Sequence, residues 1–313
     1  MSQIIPGLFL ERLAQIVPAD MRAAGDFSFE PKLKVSFRIN TLMISIDAVH
    51  AKLRAAEIAF ETIAWYAPAF MVGVTDAKIL LKHALASEGK IYAQALSSMV
   101  PVLALDPKPG ERILDLCAAP GSKTSQIAAH MQQEGELIAN EAIRARFYRL
   151  KAVTQLMGVK ARLTMVDGRR FALQGEDEGF DRVLVDAPCS SEGRFNIIDA
   201  DSFGYWSKRK IEEMSHKQKG LLLNASRLVK PGGVLVYATC TFAPEENEAV
   251  VDWLLRKTEG RFSLEPFHID GIKSYPALKA WGKREFTADL GNCLRILPDQ
   301  QMEGFFVAKL RRC

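Results

Sequence analysis

Apolar positions divide the chain into two unequal parts. Near the N-terminus, Ile5, Leu8, Phe9, Leu13 and Ile16 recur at steps of three and four with Arg12 among them, which predicts a short helix within residues 1 to about 30, ended by Pro18. KVSFRI at 34–39 alternates as a strand does. Residues 45–58 place Val49, Leu53 and Ala56 on one helical face behind a candidate N-cap, Ser45, and FETIAWY at 60–66 suggests a second strand. Together these compose a small α+β unit over residues 1–90. From residue 91 the pattern becomes apolar runs alternating with helical periods. Strands are predicted at 112–116, 136–140, 161–166, 180–187 and 233–240, and helices near 123–132, 143–157, 213–229 and 245–257. Such alternation specifies an α/β domain over 91–313, a doubly wound, mostly parallel sheet with right-handed crossovers. GFFVAKL at 304–310 reads as a closing antiparallel strand, whereas 260–292 has no pattern that organises it.

Composition narrows the class. Of 313 residues, 48% are hydrophobic, enough for a packed core. No apolar run approaches the length of a membrane span, and Glu11 and Arg12 interrupt the N-terminal segment where a signal peptide would be apolar, so a cytoplasmic protein is expected. The five cysteines contain no C-x-x-C, which argues against a disulfide framework and a zinc site and leaves free thiols; no metal is expected. A net charge of +4 permits a nucleic-acid partner without establishing one. Lys32, Lys34 and Arg38 make the first strand basic, a feature that suits either a phosphate backbone or a plain solvated face.

The chemistry gathers around ILDLCAAPGSKT, residues 113–124. A buried strand runs into the small residues Ala118, Ala119, Pro120 and Gly121, which let a ligand approach the backbone, and then into a helix N-terminus. Two nucleotide sites are excluded by spacing. Ser122 separates Gly121 from Lys123, which a P-loop does not allow, and no G-x-G-x-x-G is present for a dinucleotide. Glu141, 20 residues past Gly121 at the end of the next strand, has the spacing of a carboxylate that binds ribose hydroxyls. A nucleoside without polyphosphate fits, S-adenosylmethionine being the common case.

Acids and thiols stand at the carboxyl ends of successive strands: Asp115 and Cys117, Glu141, Asp167, Asp186 with Cys189, and Cys240. If the fourth and fifth strands are neighbours, Cys189 and Cys240 face one pocket. Both could be small buried hydrophobes. Beside a methyl donor, however, paired thiols suggest attack of a thiolate on carbon 6 of a pyrimidine, which makes carbon 5 nucleophilic. Asp186 in DAPCS is suited to the polar edge of a flipped-out base.

ILDLCAAPGSKT, VDAPCSSEG (185–193) and VYATCTFAPEENE (236–248), in this order, resemble the RNA (cytosine-C5)-methyltransferase family, its RsmB/RsmF-like members in particular; FRINTL (37–42) and YAQALSSMVP (92–101) match as well. The resemblance covers nearly the whole chain and implies a Rossmann-like class I methyltransferase fold. It implies that Cys240 is the nucleophile and that Cys189 assists release of the methylated product, an order the residues alone leave open. It also implies S-adenosylmethionine contacts from Cys117, Ala118, Ala119, Pro120, Gly121, Ser122 and Lys123, with Glu141, Asp167 and Asp186, and places Lys123 and Asp186 beside the two cysteines in catalysis. The sequence departs from the family after CSSEG, where Arg194 to Asp199 replace a common Arg-Lys-Asp-Pro. The C-terminal RNA-binding domain of some bacterial relatives is expected to be absent. Substrate choice is then left to the N-terminal unit and to a loop at 207–220. The expected protein is a monomeric enzyme that methylates cytosine in structured RNA, ribosomal RNA ahead of transfer RNA, with a small-molecule or DNA methyltransferase and a catalytically silent RNA-binding factor as the rivals.

Overall fold

The computed structural model describes residues 5–19, 21, 29–173 and 178–313. The first helix, Gly7–Ile16, buries Phe9, Arg12, Leu13 and Ile16 and ends where Val17 turns extended ahead of Pro18. The rest of the helical segment expected to residue 30 falls largely on residues 1–4, 20 and 22–28, outside the described residues.

A four-stranded antiparallel sheet follows, with β1 (Lys34–Ile39), β2 (Phe60–Thr62), β3 (Ala69–Gly73) and β4 (Ile91–Ala93) in the order β2-β3-β1-β4. The helix Ile46–Ala55 covers it, and Ser45 caps that helix by accepting the Ala48 N–H. The strand expected over 60–66 stops at Thr62, because Ile63–Tyr66 turns back to start β3. β4 lies beyond the boundary expected at residue 90 and yet closes this sheet. The first helix packs elsewhere, against Phe195, Phe203 and Phe242, so residues 1–90 are not one packed unit.

The second sheet contains β5 (Arg112–Asp115), β6 (Glu136–Asn140), β7 (Arg162–Thr164), β8 (Phe180–Asp186), β9 (Val229–Thr239), β10 (Phe262–Leu264), β11 (Ser274–Pro276), then, beyond a separate hairpin of β12 (Ala280–Trp281) and β13 (Arg284–Glu285), β14 (Leu294–Ile296) and β15 (Phe305–Arg312). Its order is β11-β14-β15-β9-β8-β5-β6-β7, parallel from β9 to β7 and antiparallel beyond, with β10 also on β15. The α/β doubly wound sheet and its closing antiparallel strand are thus as the pattern specifies. Strand order reverses between β5 and β8, and ligands in open α/β sheets bind outside the carboxyl ends of the strands at such a switch. The helices Leu96–Leu105 and Ser122–His130 cover one face and the helices Lys208–Leu228 and Glu248–Thr258 the other. The loop expected at 207–220 is instead the start of a 21-residue helix, capped by the Ser207 side chain on Lys210 N–H.

The basic strand has a different use from the one its charge suggested. Arg38 is fully buried and donates to Gln94 Oε1 at 2.9 Å and Ser125 Oγ at 2.6 Å, joining β1 to the helix Ser122–His130. Lys32 donates to the Met302 carbonyl at 2.5 Å and Lys34 pairs with Glu61. Arg38 and Lys32 are thus turned to the protein's own interior and carbonyls, and Lys34 is shared with a surface carboxylate.

Candidate active site

The turn after β5 is shaped by Gly121, whose φ of 113° is a left-handed conformation, and a Cβ there would meet Val153 at 3.0 Å. The turn therefore lies flat on the helix Arg144–Leu156 and points its other side to the switch. Cys117, Ala118, Ala119, Pro120, Ser122 and Lys123 line a cleft of about 440 Å³, and Asp186, Cys189 and Cys240 line its far side.

Lys123 joins the two sides. Its ammonium, 5.3 Å above the Phe305 ring, donates to Ser98 Oγ at 2.8 Å and to Asp186 Oδ2 at 2.7 Å. This pair fixes the Asp186 carboxylate at the carboxyl end of β8. Two residues of turn beyond Asp186, Cys189 comes within 3.2 Å of the Cys240 sulfur, which follows β9 on the neighbouring strand. The expected pairing of the fourth and fifth strands thus brings the thiols together.

Their environments differ. Cys240 is lowered, chiefly by the hydrogen bond from Cys189 and then by the Arg194 guanidinium against the opposing effect of burial. Cys189 is pushed up, first by that same bond and then by burial and by the charge on Cys240. Of the two interacting thiols, Cys240 is therefore the one that ionises more readily. Gly193 secures the loop: its N–H donates to the Cys240 carbonyl at 2.9 Å, and a Cβ on it would stand 2.1 Å from the Gly304 carbonyl oxygen.

Two expected residues stand outside the cleft wall, and a third lies at its base. Glu141 is buried beside the turn rather than in the cleft wall; Oε1 accepts the Ile143 N–H at 2.9 Å and Oε2 faces Arg146 Nη1 at 3.4 Å. Asp167 lies outside the cleft wall, and its bonds to Arg169 hold its carboxyl down at about 2. Asp115 borders the cleft from beneath the turn, wholly buried; it accepts from Thr124 Oγ1 at 2.7 Å and is pushed up to about 7 by burial.

The sequence profile described as "16S rRNA methyltransferase RsmB/F" matches residues 102–311. The chain is 42% identical over 287 residues to the tRNA (cytosine(49)-C(5))-methyltransferase of Pyrococcus abyssi, covering 90% of this chain and 88% of that protein. It belongs to the RsmB/F methyltransferase family. The ribosomal RNA small subunit methyltransferase F of Serratia proteamaculans is 37% identical over 98% of this chain, which spans 63% of that longer relative. A crystal structure of a methyltransferase homolog from Pyrococcus horikoshii superposes with a TM-score of 0.76 at 28% identity, over 99% of this chain and 100% of that one.

As a member of that family the chain is an S-adenosylmethionine-dependent RNA methyltransferase. Its turn fits the cofactor. Glu141 Oε2 and Asp115 Oδ1 are buried oxygens without a hydrogen-bond partner among the described residues, and the alanines keep the backbone approachable. Side chains that sequence reasoning gave no role also line the cleft: Arg146, Arg194, Glu303, Phe305 and Gln94. Arg146 reaches the Ala119 carbonyl at 2.7 Å, and Arg194 faces Glu303 at 3.6 Å. Arg194 heads the segment that departs from the family, while Gln94 lies in YAQALSSMVP; both stretches were visible, their contacts were not. After Arg194 the departing segment folds Phe195 against Phe9, with ring centroids 4.7 Å apart. Among the described residues, no His/Cys/Asp/Glu cluster could hold a metal, and no helix is long and apolar enough to cross a membrane.

Proposed function

We propose that this methyltransferase modifies carbon 5 of a cytosine in structured RNA through a covalent bond between Cys240 and carbon 6. The observation that carries this reading is the 3.2 Å thiol pair with Cys240 the more acidic member. Addition of the Cys240 thiolate to carbon 6 makes carbon 5 the nucleophile. Asp186, held by Lys123, is the carboxyl we assign to the polar edge of the flipped-out base. Bound S-adenosylmethionine supplies the electrophilic methyl group, and we assign its binding to residues 117–123 and Glu141; Asp167, tied to Arg169, is assigned a place at the rim.

Cys189 we assign to release. Once Cys240 is bonded to carbon, its hydrogen bond and charge no longer raise Cys189, while burial still does, and as a thiolate Cys189 is the base for the last step. It then takes the proton from carbon 5, the C–H electrons form the carbon 5–carbon 6 double bond, and the carbon–sulfur pair leaves with Cys240.

Ribosomal RNA is the first reading of the substrate. A second, transfer RNA, is favoured by the Pyrococcus abyssi relative, whose length this chain matches more nearly. Bisulfite mapping of cellular RNA with and without the protein separates them. The chemistry is tested on denaturing gels after incubation with RNA and S-adenosylmethionine. Cys189→Ala should accumulate a slow covalent adduct, and Cys240→Ala none. The reverse pattern makes Cys189 the nucleophile, and no adduct from either removes the covalent route.

A further inference from the structure

Glu246 is a wholly buried carboxyl that the chemistry above does not use. It lies in the turn between β9 and the helix Glu248–Thr258, and its Oε2 accepts the Ser190 N–H at 3.0 Å and the Gln218 carboxamide at 2.8 Å. The same Gln218 Nε2 donates to the Pro188 carbonyl at 2.9 Å. One carboxyl and one carboxamide, brought from two elements on the far side of the sheet, therefore hold the backbone immediately before and immediately after Cys189. No ion pair engages Glu246 among the described residues, and its Oε1 is buried without a hydrogen-bond partner. Cys240 is held by other means, through Gly193 and the end of β9.

We infer that Glu246, through Ser190 and Gln218, is the positioning residue for Cys189, and that it governs release of the methylated RNA rather than attack on the base. The inference rests on the release role proposed for Cys189. The carboxyl works in its neutral form: burial pushes it up to about 8, so it carries a proton at neutral pH. A carboxamide has the same shape and the same lack of charge, and one oxygen with which to accept both bonds. Alanine has none, and leaves the Ser190 N–H and the Gln218 amide unpaired in the interior. A shift of the Cys189 sulfur by about 1 Å is enough to slow its step roughly a hundred-fold.

The test uses the full chain with an RNA transcript and S-adenosylmethionine, following adduct on denaturing gels and methylated free RNA separately. Glu246→Ala should form adduct within about three-fold of the parent rate but release it roughly ten- to a hundred-fold more slowly, so that adduct accumulates. Gln218→Met, which loses both donations, should do the same, and it decides the matter if Glu246→Ala fails to fold. Glu246→Gln should restore release to near the parent rate, which a need for the carboxylate charge would not allow. Parental release from both Glu246→Ala and Gln218→Met, or equal loss of attack and release in folded protein, overturns the inference. Cys189→Ala run in parallel separates the two levels. If it too accumulates nothing, the release role of Cys189 fails; if it alone accumulates adduct, only the part given to Glu246 fails.

Discussion

The sulfurs of Cys189 and Cys240 stand 3.2 Å apart at the ends of adjacent parallel strands, and each sets the other's acidity in the opposite direction. Removing one must then change the other. In Cys189→Ala, Cys240 loses the hydrogen bond that is the largest cause of its lowered value, while Arg194 remains. The pH midpoint for alkylation of Cys240 by iodoacetamide, read by peptide mass spectrometry, should move upward. A midpoint that stays or falls would mean that the thiol contact contributes nothing to ionisation.

Glu141 presents a buried oxygen without a hydrogen-bond partner beside the cofactor turn, and a ribose hydroxyl is the donor that fits it. Glu141→Ala should weaken S-adenosylmethionine binding by roughly 1 to 3 kcal/mol. Titration calorimetry checks this, and unchanged affinity would remove Glu141 from the site.

Arg38 is, like Arg295, one of the largest fully buried side chains, and no carboxylate pairs with it among the described residues; burial pulls its guanidinium down to about 10. Its bonds to Gln94 and Ser125 tie β1 to the helix that carries Lys123. Arg38→Ala should cost at least roughly 3 kcal/mol of stability, since two charge-assisted bonds are lost in the interior. Chemical denaturation measures it, and a loss below about 1 kcal/mol would show that the interior closes readily around the gap.

Asp115 and Glu246 give the fold a pH dependence of known sign. Both are raised by burial, to about 7 and about 8, above their ordinary values of 3.8 and 4.5. For such groups the stabilisation is complete below the unfolded value and is lost as pH rises through the folded one. Stability should therefore decline between about pH 4 and 8 from these two groups. Glu246→Gln, which does not ionise, should melt higher than the parent at pH 8.5 relative to the difference at pH 4. Parallel melting curves across that range would show that the carboxyl is already ionised in the fold.

The parts of this architecture that were legible in the sequence are those written in local patterns. Ile113, Leu114 and Leu116, and Val183 to Val185, are apolar because they are buried inside the sheet's two layers, and small residues at 118–121 mark a turn that must stay open. The cysteines could be placed at strand ends, and strand order then brought them together. What escaped depends on partners distant in sequence. Arg38 and Lys34 look like a cationic strand until Gln94, Ser125 and Glu61 are seen to claim them. Residues 260–292 have no periodicity because β10 and β11 are three-residue strands that exist only as edges against β15 and β14. Glu246 reads as one more acid in PEENE, and its bond to Ser190 spans 56 positions.

Of the two segments expected to choose the substrate, the start of the long helix keeps the exposed charge. With Lys32, Lys34 and Arg38 engaged, exposed positive charge remains on Lys208 and Arg209 at the start of the long helix, which follows the segment headed by the cleft residue Arg194. No ion pair engages Lys208 or Arg209 among the described residues, and Tyr205, 89% exposed, stands just before them as a face on which a base can stack. Each cation that neutralises a phosphate contributes about one unit to the slope of log affinity against log salt. Lys208→Ala and Arg209→Ala should therefore each weaken RNA binding and flatten that slope by about one, whereas Lys34→Ala should leave both as they are. Tyr205→Ala should weaken binding by roughly 1 to 3 kcal/mol without changing the slope, since stacking releases no counterions. Filter binding across a salt series, with S-adenosylmethionine affinity measured alongside as the salt-insensitive control, reads all four variants. A reduced slope in Lys34→Ala, with none in Lys208→Ala or Arg209→Ala, would return the RNA to the N-terminal sheet.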